Sequence, residues 1–133
     1  MPAAAPAAAS VSRPEPSARR LRRLKKRAEF LHAAKGTKVV KPAFVLQVAV
    51  PAEGGADASV GIGFTASKRV GNAVSRNRAR RRLREVARAV LPDHGLAGCD
   101  HVLVARSTAL AYPFAALTAD LTEALTMVRA RRR

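Results

Sequence analysis

Between residues 59 and 91 the spacing of apolar positions changes. Val60, Ile62 and Phe64 alternate with Gly61 and Gly63, which predicts a strand over residues 59–66. Further on the spacing becomes helical. Ala79, Leu83, Val86, Ala87, Val90 and Leu91 share one face of a wheel turned by about 100° per residue. Asn77, Arg78, Arg81, Arg82, Arg84 and Arg88 fall on the far side, with Arg76 and Arg80 near the edge of the apolar face.

The remaining segments follow the same rules. Leu21, Leu24, Ala28 and Leu31 recur at helical spacing and predict a helix over residues 18–34, ended by Gly36. Phe30 lies at the edge of that stripe and reads either as a core anchor or as a ring on which RNA bases stack. A short strand is expected over residues 37–41, stopped by Pro42. In residues 43–50, Phe44, Leu46, Val48 and Val50 share one face and Val45, Gln47 and Ala49 the other. The glycines and proline of residues 51–57 mark a turn, so residues 59–66 read as the return strand of a hairpin. The bare face left there by Gly61 and Gly63 marks a close approach, most commonly by a packed helix. Residues 92–98 read as a loop, and 100–106 as a strand with Val102 and Val104 opposite Leu103 and Ala105. After a connector, residues 114–128 form an amphipathic helix burying Phe114, Leu117, Leu121, Leu125 and Val128. The order helix, three strands, helix, strand, helix predicts one α+β domain over residues 18–128, with helices on a small sheet. Residues 1–17, rich in Ala and Pro, are expected to be a disordered tail, and 129–133 a frayed basic end.

Charge narrows the function. The chain has 133 residues and a formal net charge of +16. Such an excess points to nucleic acid before anionic membrane. The predicted central helix carries seven arginines against one acid, Glu85, and Arg78/Arg82, Arg80/Arg84 and Arg84/Arg88 are like-charged i,i+4 pairs. A merely solvated face mixes signs, because such pairs cost stability. Seven more cations, with no anion, lie between Arg19 and Arg27. No apolar run is long enough to span a bilayer, and the alanine-rich start lacks the charged and apolar regions of a signal peptide. The single cysteine, Cys99, has no CxxC partner. These features place the protein in the cytoplasm, without zinc. The nine acids form no tight motif, His32, His94 and His101 are scattered, and no phosphate-cradling glycine loop is present. The expectation is an RNA binder with no catalytic residues, no metal site and no small-molecule substrate of its own.

Residues 67–85, SKRVGNAVSRNRARRRLRE, closely resemble the signature of the bacterial ribonuclease P protein subunit. Lys68-Arg69, Gly71-Asn72-Ala73-Val74, Arg76-Asn77-Arg78, Arg80-Arg81, Arg84 and Glu85 fall in register with it. Arg23-Leu24-Lys25-Lys26-Arg27, Phe30 and Lys35-Gly36 resemble the family's first helix and its exit. Phe44-Val45-Leu46 and Gly61-Ile62-Gly63-Phe64 resemble its strands. The resemblance covers residues 21–128. It implies a two-layer αβββαβα sandwich with a left-handed β-α-β crossover, similar to a small-subunit ribosomal protein fold. The implied activity is removal of the 5′ leader from precursor tRNA, with ribonuclease P RNA as partner and catalyst. Mg2+ would be held by that RNA and by no motif of the protein. Arg76, Asn77, Arg78, Arg80, Arg81, Arg84 and Arg88 would bind the catalytic RNA. Phe30, Lys26, Lys68, Arg69 and Gln47 would lie along the leader of precursor tRNA. Ala34 and Gln47 stand where many members carry aromatics, so leader contact is expected to lean more on charge and on Phe30. The alternative is a structural, ribosomal-type RNA-binding protein with no processing role.

Overall fold

The computed structural model describes residues 20–51 and 59–131. The N-terminal tail, most of the turn after Pro51 and the last two arginines lie outside the described residues. Five strands form one mixed sheet: β1 Leu21–Arg23, β2 Thr37–Val40, β3 Phe44–Ala49, β4 Val60–Ala66 and β5 Asp100–Ala105, in the order β1-β4-β5-β3-β2. Three helices complete the fold: α1 Arg27–Ala34, α2 Ala73–His94 and α3 Phe114–Arg131. β4 runs parallel to both β1 and β5, while β3 is antiparallel to β2 and β5.

The expected hairpin of β3 and β4 does not form. β5 inserts between them, in register Gln47↔Val102 on one side and Gly63↔Val102 on the other. Alternation identifies strands but not partners, and the crossover through α2 brings β5 to the centre. The α+β class holds, and the layering goes beyond two. Phe44, Leu46, Val48, Val60, Ile62 and Leu103 meet α2 and α3 on one face. Val102 and Val104 meet Leu24, Phe30 and Ala33 of the α1 region on the other.

α2 buries Ala79, Leu83, Val86, Ala87, Val90 and Leu91, the face the wheel assigns. Packing holds this helix together despite its charge. Each like-charged i,i+4 pair costs about 0.2–0.5 kcal/mol. Burying a single Leu or Val gains about 1.5–3 kcal/mol, and Leu83, Val86 and Leu91 are fully buried. The helix runs through Pro92 to His94, into the residues 92–98 expected to be a loop. Proline so near the end forfeits one backbone bond, and the last turn is closed by the Gly95 amide on the Leu91 carbonyl at 2.9 Å. Arg129 Nη2 then donates to the carbonyl of His94 at 2.9 Å. Correspondingly, α3 continues past Val128 to Arg131, whose Nη1 donates to the Lys38 carbonyl at 2.6 Å. Phe114, expected in the core, opens α3 and is 45% exposed.

The first helix is shorter than its spacing suggests. Residues 21–23 form a strand, because β4 offers a backbone edge that a helix could not use. The Val60 amide donates to the Arg20 carbonyl at 2.8 Å, and the Leu24 amide to the Ile62 carbonyl at 2.9 Å. An extended backbone also spreads the cations that a helix would stack at i,i+4. α1 therefore begins at Arg27 and buries Ala33 beside half-buried Phe30, while Leu31 is 53% exposed.

Glu29 fixes the start of α1. Its Oε1 accepts from the backbone amides of Lys26 at 2.9 Å and Lys25 at 3.0 Å. Those bonds, with the nearby charge of Arg22, hold its carboxyl below the ordinary glutamate value of 4.5. A depressed folded pKa means that this contribution is complete above the unfolded value and is lost as pH falls through the folded one. Glu29→Gln should therefore be less stable than wild type at neutral pH, and the gap should close in acid, as pH falls from 4.5 through the lowered folded value. Paired urea melts at both pH values check this; a gap that persisted in acid would contradict it.

Candidate nucleic-acid interface

The approach to α2 is built by its sequence. After β4, Ser67 opens a one-turn 3-10 helix, Lys68–Val70, by accepting the Arg69 amide at 3.3 Å on its hydroxyl. Gly71 follows with φ of 139°, a conformation that side chains disfavour, and a Cβ there would meet the Ser75 side chain at 3.0 Å. Asn72 then caps α2, its Oδ1 accepting the Ser75 amide at 2.9 Å. The Gly-Asn of the motif thus turns the chain and starts the helix, while Lys68 and Arg69 stay exposed beside it.

The arginines of α2 divide by what they touch. Among the described residues Arg76, Arg78, Arg81 and Arg88 make no side-chain hydrogen bond or ion pair. Glu85 is exposed and likewise neutralises none of them. Arg80 donates to Asn77 Oδ1, and the Arg84 guanidinium lies 5.7 Å from the centre of the Phe64 ring. Arg82 does something else. It donates through Nη1 to the Leu110 carbonyl at 3.0 Å and through Nη2 to the Tyr112 carbonyl, clamping the connector into α3. Next to that clamp the Tyr112 hydroxyl donates to Asp120 at 3.0 Å, and losing that bond on ionisation raises its pKa.

The leader residues are less gathered. Phe30 lies against the sheet where β4 has no side chain: a Cβ on Gly63 would sit 2.5 Å from the ring. Gln47 is half-buried on the same side of β3, level with Val102. Lys26, the residue before α1, is exposed. The structure brings Phe30 together with Arg80 and Arg84, around a cavity of about 230 Å³. Lys26, Gln47, Lys68 and Arg69 do not line it.

Sequence reasoning missed a pair. Arg22, one of the seven cations between Arg19 and Arg27, donates through Nη2 to Asp100 Oδ1 at 2.7 Å, and Asp100 is nearly fully buried. The pair lies over Gly61, where a Cβ would be 2.2 Å from that carboxylate oxygen. Glycine at 61 was the available signal, although it could not name the occupants.

The ribonuclease P family model matches residues 18–129. The chain belongs to the ribonuclease P protein family. The ribonuclease P protein component of Paramagnetospirillum magneticum is 51% identical over 117 residues, covering 85% of this chain and 86% of that one. The solved RNase P protein of Staphylococcus aureus is 31% identical, with a TM-score of 0.63, covering 79% of this chain and 93% of that one. The RNase P protein of Thermotoga maritima shares the fold at a TM-score of 0.65 and 21% identity, over 80% of this chain and 96% of that one. The role is therefore that of the ribonuclease P protein subunit, working in tRNA 5′ processing as part of a ribonucleoprotein with ribonuclease P RNA. No helix of the described residues is long and apolar enough to cross a membrane.

Proposed function

We propose that this subunit binds both the ribonuclease P RNA and the 5′ leader of precursor tRNA, in the cytoplasm, and that bond cleavage is the work of the RNA. The observation that carries this reading is the set of arginines on α2 left without an acid: Arg76, Arg78, Arg81 and Arg88. Together with Asn77 they form a docking surface for folded RNA. A guanidinium meets phosphate bidentately and also stacks on bases.

The acids support placing the chemistry elsewhere. Asp100 is committed to Arg22, Glu29 to the start of α1, Asp120 to Tyr112 and Glu123 to Lys41. Among the described residues no three His, Cys, Asp or Glu side chains gather as a metal-binding group. His101 is buried, with the Leu96 amide donating to its Nε2 at 3.1 Å, which leaves Nδ1–H to donate to the Gly61 carbonyl at 3.1 Å. Mg2+ would be held by the RNA, where it would supply an activated water and charge stabilisation of the leaving oxygen.

Phe30 is the ring available to the leader, with Lys26, Lys68, Arg69 and Gln47 flanking its path. Phe30→Ala should weaken binding of precursor tRNA by about tenfold, as loss of one stacked base does, and leave binding of mature tRNA unchanged. Arg81→Ala should instead weaken assembly with the ribonuclease P RNA. Affinities measured for holoenzyme with precursor and mature tRNA separate these roles; a Phe30→Ala protein that kept its preference for precursor would sink the leader assignment.

A further inference from the structure

Arg82 ties the middle of α2 to the start of α3. Its Nη1 donates to the Leu110 carbonyl at 3.0 Å and its Nη2 to the Tyr112 carbonyl, one on each side of Ala111. The backbone over residues 110–112 is thereby fixed against α2, and α3 opens two residues further on, with Phe114. Of the chain's five aromatic rings this one is the most open. Phe44 is buried, Phe30, Phe64 and Tyr112 are half-buried, and Phe114 is 45% exposed. The buried side of α3 is filled by Leu117, Leu121, Ala124, Leu125 and Val128, so the ring is not needed as a core anchor. On α2, Arg78 stands one turn before Arg82 on the same flank, exposed and without a side-chain bond among the described residues.

We infer that the docking surface for ribonuclease P RNA continues from α2 over residues 107–113 to Phe114, whose ring stacks on an unpaired base of that RNA, and that Arg82 is the positioning residue that holds the ring in place. This rests on the reading of α2 as the docking helix and carries it to a residue outside the arginine motif. Between Arg106 and Arg129 the chain has no lysine or arginine. Contact with RNA along that stretch therefore cannot come from pairing with phosphates, and an open ring is the group that can supply it. Folded RNA presents unpaired bases in its loops and bulges, and a ring stacks on any of them. Arg78 provides the positive charge on the near side. The acids of α3 are engaged elsewhere: Asp120 accepts from the Tyr112 hydroxyl and Glu123 pairs with Lys41. Glu85 lies on the turn after Arg82, away from Arg78. The clamp gives the ring its use, since a side chain on a fixed backbone loses less freedom when it is bound. Arg82 itself keeps two donors on protein carbonyls and contributes through Phe114.

In the test, full-length protein is titrated with ribonuclease P RNA at several salt concentrations, and each holoenzyme with precursor and mature tRNA. Phe114→Ala should weaken assembly by about tenfold, as loss of one stacked base does, and leave the salt slope unchanged, because a ring releases no counterions. Phe114→Tyr should assemble like wild type. Arg82→Ala should also weaken assembly at an unchanged slope, whereas loss of an arginine on phosphate would lower the slope by about one. Arg82→Ala together with Phe114→Ala should be no weaker than Phe114→Ala alone, since Arg82 acts through the ring. Circular dichroism of each variant verifies the fold. Additive losses, or a lower slope for Arg82→Ala, would overturn the positioning role. Normal assembly of Phe114→Ala beside weakened assembly of Arg81→Ala would overturn the inference and leave the docking helix standing. Normal assembly of both would overturn the docking reading itself, and Phe114 with it. A Phe114→Ala holoenzyme that assembled normally but lost its preference for precursor tRNA would put substrate RNA on the ring and overturn the assignment.

Discussion

Arg22→Ala should destabilise the free protein by about 3 kcal/mol, although Arg22 reads as one more cation in a basic segment. The mutation leaves the Asp100 carboxylate without its partner at a side-chain exposure of 4%. Removing one member of a buried pair costs about 3–5 kcal/mol, since the remaining charge is stranded. The lower end is expected, because the Arg22 side chain is itself 39% exposed and water can reach the site. For a domain of this size that lowers the melting temperature by about 10 °C. Arg22→Ala combined with Asp100→Ala should recover part of the loss, because no orphan charge remains. Thermal melts of the single and double variants check this. A single variant as stable as wild type would mean that β1 is not held by the pair.

The affinity for ribonuclease P RNA should fall by about a thousandfold or more between 50 and 200 mM monovalent salt, if six to ten phosphates are neutralised. The cause is the arginine surface of α2, none of whose arginines pairs with Glu85, the one acid among them. Folded RNA differs from duplex DNA in its counterion density, so the steep fall is the firm expectation. Replacing Arg78 and Arg81 together should flatten the slope by about two. Titrations at four or five salt concentrations measure it. A flat dependence would show that shape and apolar contact, rather than phosphate contact, carry the binding.

What the sequence made legible follows from the range of each interaction. The buried face of α2 could be read residue by residue, because 22 residues of one period leave little freedom in phase. The three-residue strand β1 could not, since Leu21 and Leu24 fit a helical spacing equally well. What decides in favour of a strand is β4, some 40 residues away along the chain. Sheet order was hidden for the same reason. Arg22 and Asp100 are 78 positions apart, and nothing local joins them. The wheel likewise placed Arg82 among the outward arginines, although its guanidinium holds the Leu110 and Tyr112 carbonyls. A helical wheel gives direction from the axis, but not what waits there. Phe30 and the α2 arginines stood out in the sequence by residue type and motif. That Phe30 and Arg80 line one cavity was not legible, because it depends on where β1 stops.

The most direct measurement of the central claim is reconstitution. Purified protein is incubated with labelled precursor tRNA at low magnesium, with and without ribonuclease P RNA. Cleavage at the mature 5′ end should appear when protein and RNA are both present, and the protein alone should cut nothing. Cleavage by the protein without RNA would contradict the account, since it would require a catalytic site in a chain whose arginines were assigned to binding.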